Sequence, residues 1–246
     1  SIDKEALSSV SNAIRIMREF SQEEPELGIT ELSRRLGLTK SAVFRIVRTL
    51  EKENILRKNP RTRKYYLWLT ALEIGSVVYH DNDVAQIALP ILKQMRALTP
   101  GVVQLVMYDR GGIVYLLKLP EDKDTRIFNS MGKRVPAYCT ASGKMLLAHQ
   151  DETEINRVLS EELKPMTEHT ITSPEKLALE LVKIREAGYA VSREEFKIGM
   201  SSVAVPIYDD FDRVIAAISV TRPKNLFSPA QIVHYVNEMR MYSRLI

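Results

Sequence analysis

The sequence predicts an α+β protein built as two domains, and three observations carry that expectation. Apolar residues recur with a helical period as far as Asn54. From Pro100 onward the texture changes to short alternating apolar runs separated by hairpin turns. The charge is also split unevenly between the two parts. An antiparallel sheet with helices packed on it is the arrangement expected for the second part. At 246 residues the chain is long enough for two cores, and 45% hydrophobic with 27% charged residues is ordinary for a globular protein. No internal repeat or low-complexity tract is visible.

The charge split is specific. Residues 1–69 carry 14 Lys+Arg against 9 Asp+Glu, whereas residues 70–246 carry 21 against 22. Within residues 34–64 there are 11 basic residues and 2 acidic ones. A basic excess confined to one short stretch is the footprint expected of a surface that meets phosphates.

In chain order, residues 4–20 predict a first helix with Val10, Ala13, Ile14, Met17 and Phe20 on its core face. A polar loop, Ser21 to Leu27, follows. Ile29 to Asn54 then reads as two short helices joined by a tight turn. Thr30 is expected to cap the first of them, with Leu32 and Leu36 facing inward. Gly37 suits the left-handed position that ends a helix, Leu38 plugs the corner, and Thr39 caps the second helix. Along that second helix Val43, Ile46, Val47 and Leu50 form an apolar stripe. Ser41, Phe44, Arg45 and Arg48 form the opposite one, with Lys40 in the first turn. An exposed helix carrying Ser, Lys and Arg, braced by another across a short turn, is the geometry of a major-groove reader. Helix pairs of this kind also occur as plain structural corners, so the residues that follow matter.

Ile55 to Lys58 and Lys64 to Leu69 predict two strands around the basic tip Asn59-Pro60-Arg61-Thr62-Arg63. Strand, basic turn and strand directly after a reading helix make a wing. Tyr65, Leu67 and Leu69 are expected to alternate inward. Arg61 and Arg63 would lie on phosphates or in a minor groove. Lys40, Ser41, Phe44, Arg45 and Arg48 would read bases, with Phe44 either touching a thymine methyl or packing on the wing, and the capping Thr39 is counted with them as a DNA-binding residue.

Residues 71–84 predict a linking helix whose Leu72, Ile74, Val77 and Val78 are candidates for a dimer contact, since such proteins read paired half-sites. Another helix runs from about Ala85 to Leu98. The resulting division is 1–70, 71–84 and 85–246. In the last part, Val102 to Tyr108 and Ile113 to Leu119 flank the hairpin turn Asp109-Arg110-Gly111-Gly112, and Thr125 to Ser130 suggests one more strand. Helices are expected at Lys144 to His149, at Asp151 to Leu159, from Ser173-Pro174 to Gly188, and after Ser228-Pro229. Ser201 to Ile207 and Arg213 to Thr221 form a second hairpin.

Tyr138-Cys139-Thr140-Ala141-Ser142-Gly143 leads into a helix with small and polar residues. Exposed amides at a helix start favour an anion, so a small carboxylate is one reading and a tight, ligand-free connection the other. Ser192-Arg193-Glu194-Glu195 and Ser201-Ser202 form a second polar group. Arg193 pairing with an acid, and Ser202 or Glu194 orienting a hydroxyl or carbonyl, is the functional reading. A solvated loop is the plain one.

No apolar run approaches the roughly 18–20 residues that span a bilayer. The stretch SIDKEALSSV lacks the features of a secretory signal. One cysteine, Cys139, excludes an internal disulfide and suits a reducing cytoplasm. His80, His149, His169 and His234 show neither metal nor triad spacing, so no metal, cofactor or catalytic residue is expected. Cys139 with His149 and an acid remains the one enzymatic alternative.

At this point three long segments resemble the IclR-type family of bacterial transcriptional regulators: ITELSRRLGLTKSAVFRIVRTLEKENIL, GKRVPAYCTASGKMLLA and EAGYAVSREEFKIGMSSVAVPIYDDFDRVIAAISV. The resemblance covers nearly the whole chain. It implies an N-terminal winged helix-turn-helix joined by a linker helix to a C-terminal GAF-like antiparallel sheet flanked by helices. It further implies a homodimer or dimer of dimers that binds operator DNA and answers to small catabolites. The residues matching the family's effector pocket are Ala141-Ser142-Gly143, Ser192 to Glu195, and Ser202. Two departures stand out: Ser202 where many members carry Cys, and Ser192-Arg193 where acidic residues often stand. Arg193 leans towards an anionic effector, and parts of the sensor segment resemble members responding to sugar-acid breakdown products. The expected function is therefore a cytoplasmic, ligand-responsive repressor of a catabolic operon that senses a small organic or sugar acid. The alternative is an architectural DNA-binding dimer without an effector.

Overall fold

The computed structural model describes residues 7–21, 23–80, 83–120 and 132–246, and these fall into two compact units, Ser1–Asp81 and Asn82–Ile246. The strand suggested at Thr125 to Ser130 lies outside the described residues.

In the first unit, helices α1 (Ser8–Arg18), α2 (Ile29–Leu36) and α3 (Lys40–Lys52) precede the strands β1 (Leu56–Lys58) and β2 (Tyr65–Leu67) and helix α4 (Leu69–His80). Ile16, Leu32, Val43, Val47, Leu56 and Tyr65 are buried together. The α1 register differs from the sequence expectation. Ala13, Ile16, Met17 and Phe20 face the core, a clean i, i+3, i+4, i+7 stripe, while Val10 and Ile14 are exposed. Gly28 rather than Thr30 occupies the N-cap of α2, without a side-chain cap. Gly37 takes the left-handed conformation at φ 66°, its N–H donating to the Ser33 carbonyl, and Ser33 Oγ donates to the Leu38 carbonyl at 2.6 Å. Thr39 caps α3 by accepting from Ala42 N. Trimming Leu32, which is fully buried, to Ala is expected to destabilise this unit by about 2–5 kcal/mol in a denaturant titration. An unchanged midpoint would mean that the corner is not what holds α2 to α3.

The wing strands are shorter than expected, pairing Leu56 with Leu67 and Lys58 with Tyr65. Of the three residues expected to alternate inward, only Tyr65 is buried, and Leu67 and Leu69 are exposed. Leu69 has already left the ribbon for α4. A two-stranded ribbon has a single covered face, and here Leu56 and Tyr65 are its buried residues, Tyr65 also pairing with Leu27.

The second unit starts with α5 (Asp83–Leu98). Among the described residues its antiparallel sheet has six strands in the order β5-β4-β3-β8-β7-β6. The strands are β3 (Val102–Asp109), β4 (Gly112–Leu119), β5 (Arg134–Pro136), β6 (Ala190–Arg193), β7 (Met200–Tyr208) and β8 (Val214–Pro223). Helices α6 (Ala141–Ala148), α7 (Glu152–Leu159) and α8 (Pro174–Ala187) lie between β5 and β6, and α9 (Pro229–Ser243) closes the chain. The short strands β5 and β6 were not anticipated, because three and four residues are too few to show a period. Helix α6 begins at Ala141, three residues before its expected start, and every one of its residues is buried. It packs on the sheet face that carries Val106, Ala190, Ala204 and Ala217, with α8 behind it. Small alanines on the strands let a helix with no exposed side approach closely. Helices α5 and α9 pack against β3, β4, β7 and β8 as well as each other.

Candidate functional site

Two constellations carry chemistry, one in each unit. In the first, Thr39, Lys40, Ser41, Phe44, Arg45 and Arg48 are all exposed along one side of α3, because Val43, Val47 and Leu50 commit the other side to the core. Thr39 is occupied as a cap, with its Oγ1 3.1 Å from Ser41 Oγ. Arg48 lies 3.4 Å from Glu51. Phe44 is 51% exposed. Arg34 and Arg35 are tied to acids: Arg34 to Glu31, and Arg35 to both Glu24 and Glu31. Lys40, Arg45, Arg61 and Arg63 have no ion pair among the described residues. The basic excess therefore divides into structural arginines on α2 and available cations on α3 and the wing tip.

The tip itself is built. Asn59 Oδ1 accepts from the backbone N–H groups of Arg61 and Thr62, and Arg63 sits at φ 60°. Glu26 accepts from Asn59 Nδ2 at 2.6 Å and Thr62 Oγ1 at 2.7 Å, and these bonds hold its carboxyl below the usual range. Sequence reasoning missed Glu26, and also the stacking of Arg57 over Trp68 at 4.5 Å. A lone Glu in a polar loop gives no local signal of a contact 33 residues away.

In the second unit a cavity of about 200 Å³ opens on the α6 face of the sheet. Cross-strand pairing sets its floor. Ser192 faces Ser202, which faces Thr221, which faces Val102. The next row in carries Ser219 and Gln104, with Ser219 Oγ donating to Gln104 Oε1 at 3.1 Å. Lys118 pairs with Gln104 in register, whereas Tyr115 pairs with Val106. The one-residue shift between these pairs puts Tyr115 and Lys118, three apart, on the same face. Thr140 and Ser142 supply the α6 side, and Phe196, Lys197 and Met200 the wall beyond β6.

Of the expected effector residues, Thr140, Ser142, Ser192 and Ser202 line this cavity. The others are placed elsewhere. Tyr138 borders a separate cleft with Arg134 and Leu163, its hydroxyl donating to the Lys164 carbonyl. Ala141 is buried beneath. Gly143 is glycine because a Cβ there would stand 2.2 Å from the Ala137 carbonyl oxygen, and its N–H is taken by Thr140 Oγ1. Arg193 is exposed, because alternation along β6 sends it opposite to Ser192. Glu194, at φ 60°, accepts from Lys224 Nζ and Gly199 N, and Lys224 above all depresses its pKa.

Behind the cavity, Lys144 on α6 is only 1% exposed, with Nζ 2.8 Å from Glu195 Oε1 and 3.2 Å from Glu180 Oε1. Glu195 Oε2 has no partner among the described residues, and burial raises this carboxyl's pKa. Cys139 is buried, its thiol donating to the Pro136 carbonyl at 3.3 Å, and burial pushes its pKa up to about 12. His149 Nδ1 is engaged with the Met145 carbonyl at 2.9 Å. A thiol held protonated is a poor nucleophile, which removes the enzymatic alternative's central group.

A winged helix-turn-helix with available cations, carried in one chain with a hydroxyl-lined sheet cavity, defines a DNA-binding regulator with a ligand-binding domain. The comparisons with known proteins agree. The IclR helix-turn-helix domain matches residues 9–60, and the bacterial transcriptional regulator IclR C-terminal domain matches residues 76–246. The HTH-type transcriptional regulator KdgR of Escherichia coli is 35% identical over 100% of this chain and 94% of its own length. XynR of the same organism is 31% identical over 95% and 93%. A crystal structure of an IclR transcriptional regulator from Alicyclobacillus acidocaldarius superposes with a TM-score of 0.82 at 31% identity, covering 97% of this chain and 96% of that one. The chain belongs to the IclR family of bacterial transcriptional regulators, a family of DNA-binding proteins rather than enzymes. Among the described residues, no helix is long and apolar enough to cross a membrane.

Proposed function

We propose that the chain is a cytoplasmic repressor of a catabolic operon, released or tightened on its operator by a small organic or sugar acid held in the second unit. One observation carries the effector half: the cavity sets hydroxyls, an amide and two lysines beside the apolar Val102, Phe196 and Met200, with no Asp or Glu among its described lining residues. Such a lining favours an anion with polar substituents. Lys40, Ser41, Phe44, Arg45 and Arg48 would read bases, with Arg61 and Arg63 on phosphates. For the acid to act, it must bind the DNA-competent and DNA-released states with different affinity. The test is an operator selected from genomic fragments, titrated with a panel of organic and sugar acids. A shift in operator affinity of fivefold or more with one acid is the expected result. Affinity indifferent to every acid would favour the architectural alternative.

We further propose that a second copy of the chain covers α4. Leu72, Ile74, Val77 and Val78 are each about 60–70% exposed there, and a helix apolar on all sides is not stable facing water. A homodimer, or a dimer of dimers, would bury this stripe and match paired half-sites. Val77→Glu is expected to yield monomers in light scattering. A variant that kept the wild-type mass would exclude α4 from the interface.

A further inference from the structure

The wing tip is held from outside the wing. Leu27 flanks β2, its N–H donating to the Tyr65 carbonyl at 3.0 Å and its carbonyl accepting from Tyr65 N at 2.9 Å. That pairing lays the loop before α2 along the ribbon and brings the half-buried Glu26 up to the tip. Each Glu26 oxygen takes a different donor, Oε1 the Asn59 amide at 2.6 Å and Oε2 the Thr62 hydroxyl at 2.7 Å. The turn depends on both of those residues. Asn59 Oδ1 accepts from Arg61 N and Thr62 N, and Thr62 Oγ1 accepts from Lys64 N at 3.3 Å. The Asn59 backbone closes the turn, its N–H donating to the Lys64 carbonyl and its carbonyl accepting from Arg63 N. Arg63 stands at φ 60°, a left-handed position that a long side chain keeps only when its surroundings enforce it.

Charge alone argues against a carboxylate here. Glu26 lies within a basic tip whose expected partner is a polyanion, and its own charge opposes docking at that distance. What it supplies is geometry, because it is the one side chain that bonds to both ends of the turn.

We propose that Glu26 is a positioning residue for DNA recognition, presetting the wing tip through Asn59 and Thr62 so that Arg61 and Arg63 meet the duplex already ordered. This rests on the reading of Arg61 and Arg63 as phosphate contacts. Ordering mobile side chains during association costs affinity, and a tip ordered beforehand avoids that cost. The sign of the effect separates geometry from charge. Removing a carboxylate near phosphates strengthens binding if charge alone matters, and weakens it if the carboxylate holds the tip.

Fluorescence anisotropy on the full chain, with operator and random-sequence duplexes between about 50 and 200 mM salt, tests this beside a denaturant midpoint for each variant. Glu26→Ala is expected to bind the operator about tenfold more weakly despite its lost negative charge. Its salt slope should fall by about one or more as tip contacts are lost. Glu26→Gln keeps an oxygen for Asn59 and offers its N–H to the Thr62 hydroxyl, and is expected to bind at least as tightly as the parent. Thr62→Val cuts one link while leaving every charge in place. It is expected to weaken binding about threefold and to add little in the Glu26→Ala background. Thr62 is exposed, so this variant stands in where Glu26→Ala is too unstable to measure. Equal tightening in Glu26→Ala and Glu26→Gln would overturn the proposal in favour of a charge effect. Weaker binding with an unchanged salt slope would overturn it in favour of a general loss of stability. If Arg61→Ala combined with Arg63→Ala keeps the parental slope, the phosphate reading itself falls. A lowered slope there beside parental binding in Glu26→Ala removes only the role of Glu26.

Discussion

Arg45→Ala is expected to cost about 1–3 kcal/mol of operator affinity and to relax sequence preference at one position of the half-site. Arg61→Ala should instead weaken binding to all duplexes alike and reduce the salt slope by about one. The contrast follows from placement. Arg45 stands mid-helix on the exposed side of α3 without an ion pair among the described residues, while Arg61 is fixed at the wing tip by the Asn59 turn that Glu26 braces. Fluorescence anisotropy on the operator and on a scrambled duplex separates the two. Undiminished selectivity in Arg45→Ala would reject base reading, and altered sequence preference in Arg61→Ala would reject a phosphate role.

Lys144→Met is expected to have the largest effect on stability, about 3–5 kcal/mol, because it strands a buried charge. Lys144 lies between Glu195 and Glu180, and one Glu195 oxygen already lacks a partner among the described residues. Without the ammonium, Glu195 would be pushed to still higher pKa. A carboxyl whose folded pKa is raised binds its proton more tightly in the native state, so stability falls as pH rises above the ordinary value of 4.5 towards the folded pKa. The variant should therefore recover part of its loss as pH is lowered through that window, and Glu195→Gln in the same chain should restore part of it at neutral pH. A single variant as stable as the parent at pH 7 would contradict the role given to the pair.

The parts of the fold readable in the sequence were those fixed locally. Gly37 and Thr39 mark the corner before α3 because a left-handed residue and a cap each have a one-residue signature. The hairpin at Arg110 and Gly111 is equally local, both residues having positive φ. The cavity was half legible: small polar residues marked Thr140, Ser142, Ser192 and Ser202, but not which neighbours faced inward. Arg193 drew attention by its charge, yet a four-residue edge strand turned it outward. Lys118 was hidden because the β4 irregularity breaks the alternation that would have assigned its face. Lys197 and the Lys144–Glu195 pair depend on contacts made across the fold, the latter joining residues 51 apart.

The salt dependence of duplex binding by the full chain is the most direct measurement. If the α3 face and wing tip dock on phosphates through six to ten contacts, affinity for even a random-sequence duplex should fall by about 10³–10⁵ between 50 and 200 mM salt. Binding that ignored salt, or no attraction to any double-stranded DNA at low salt, would contradict the whole assignment.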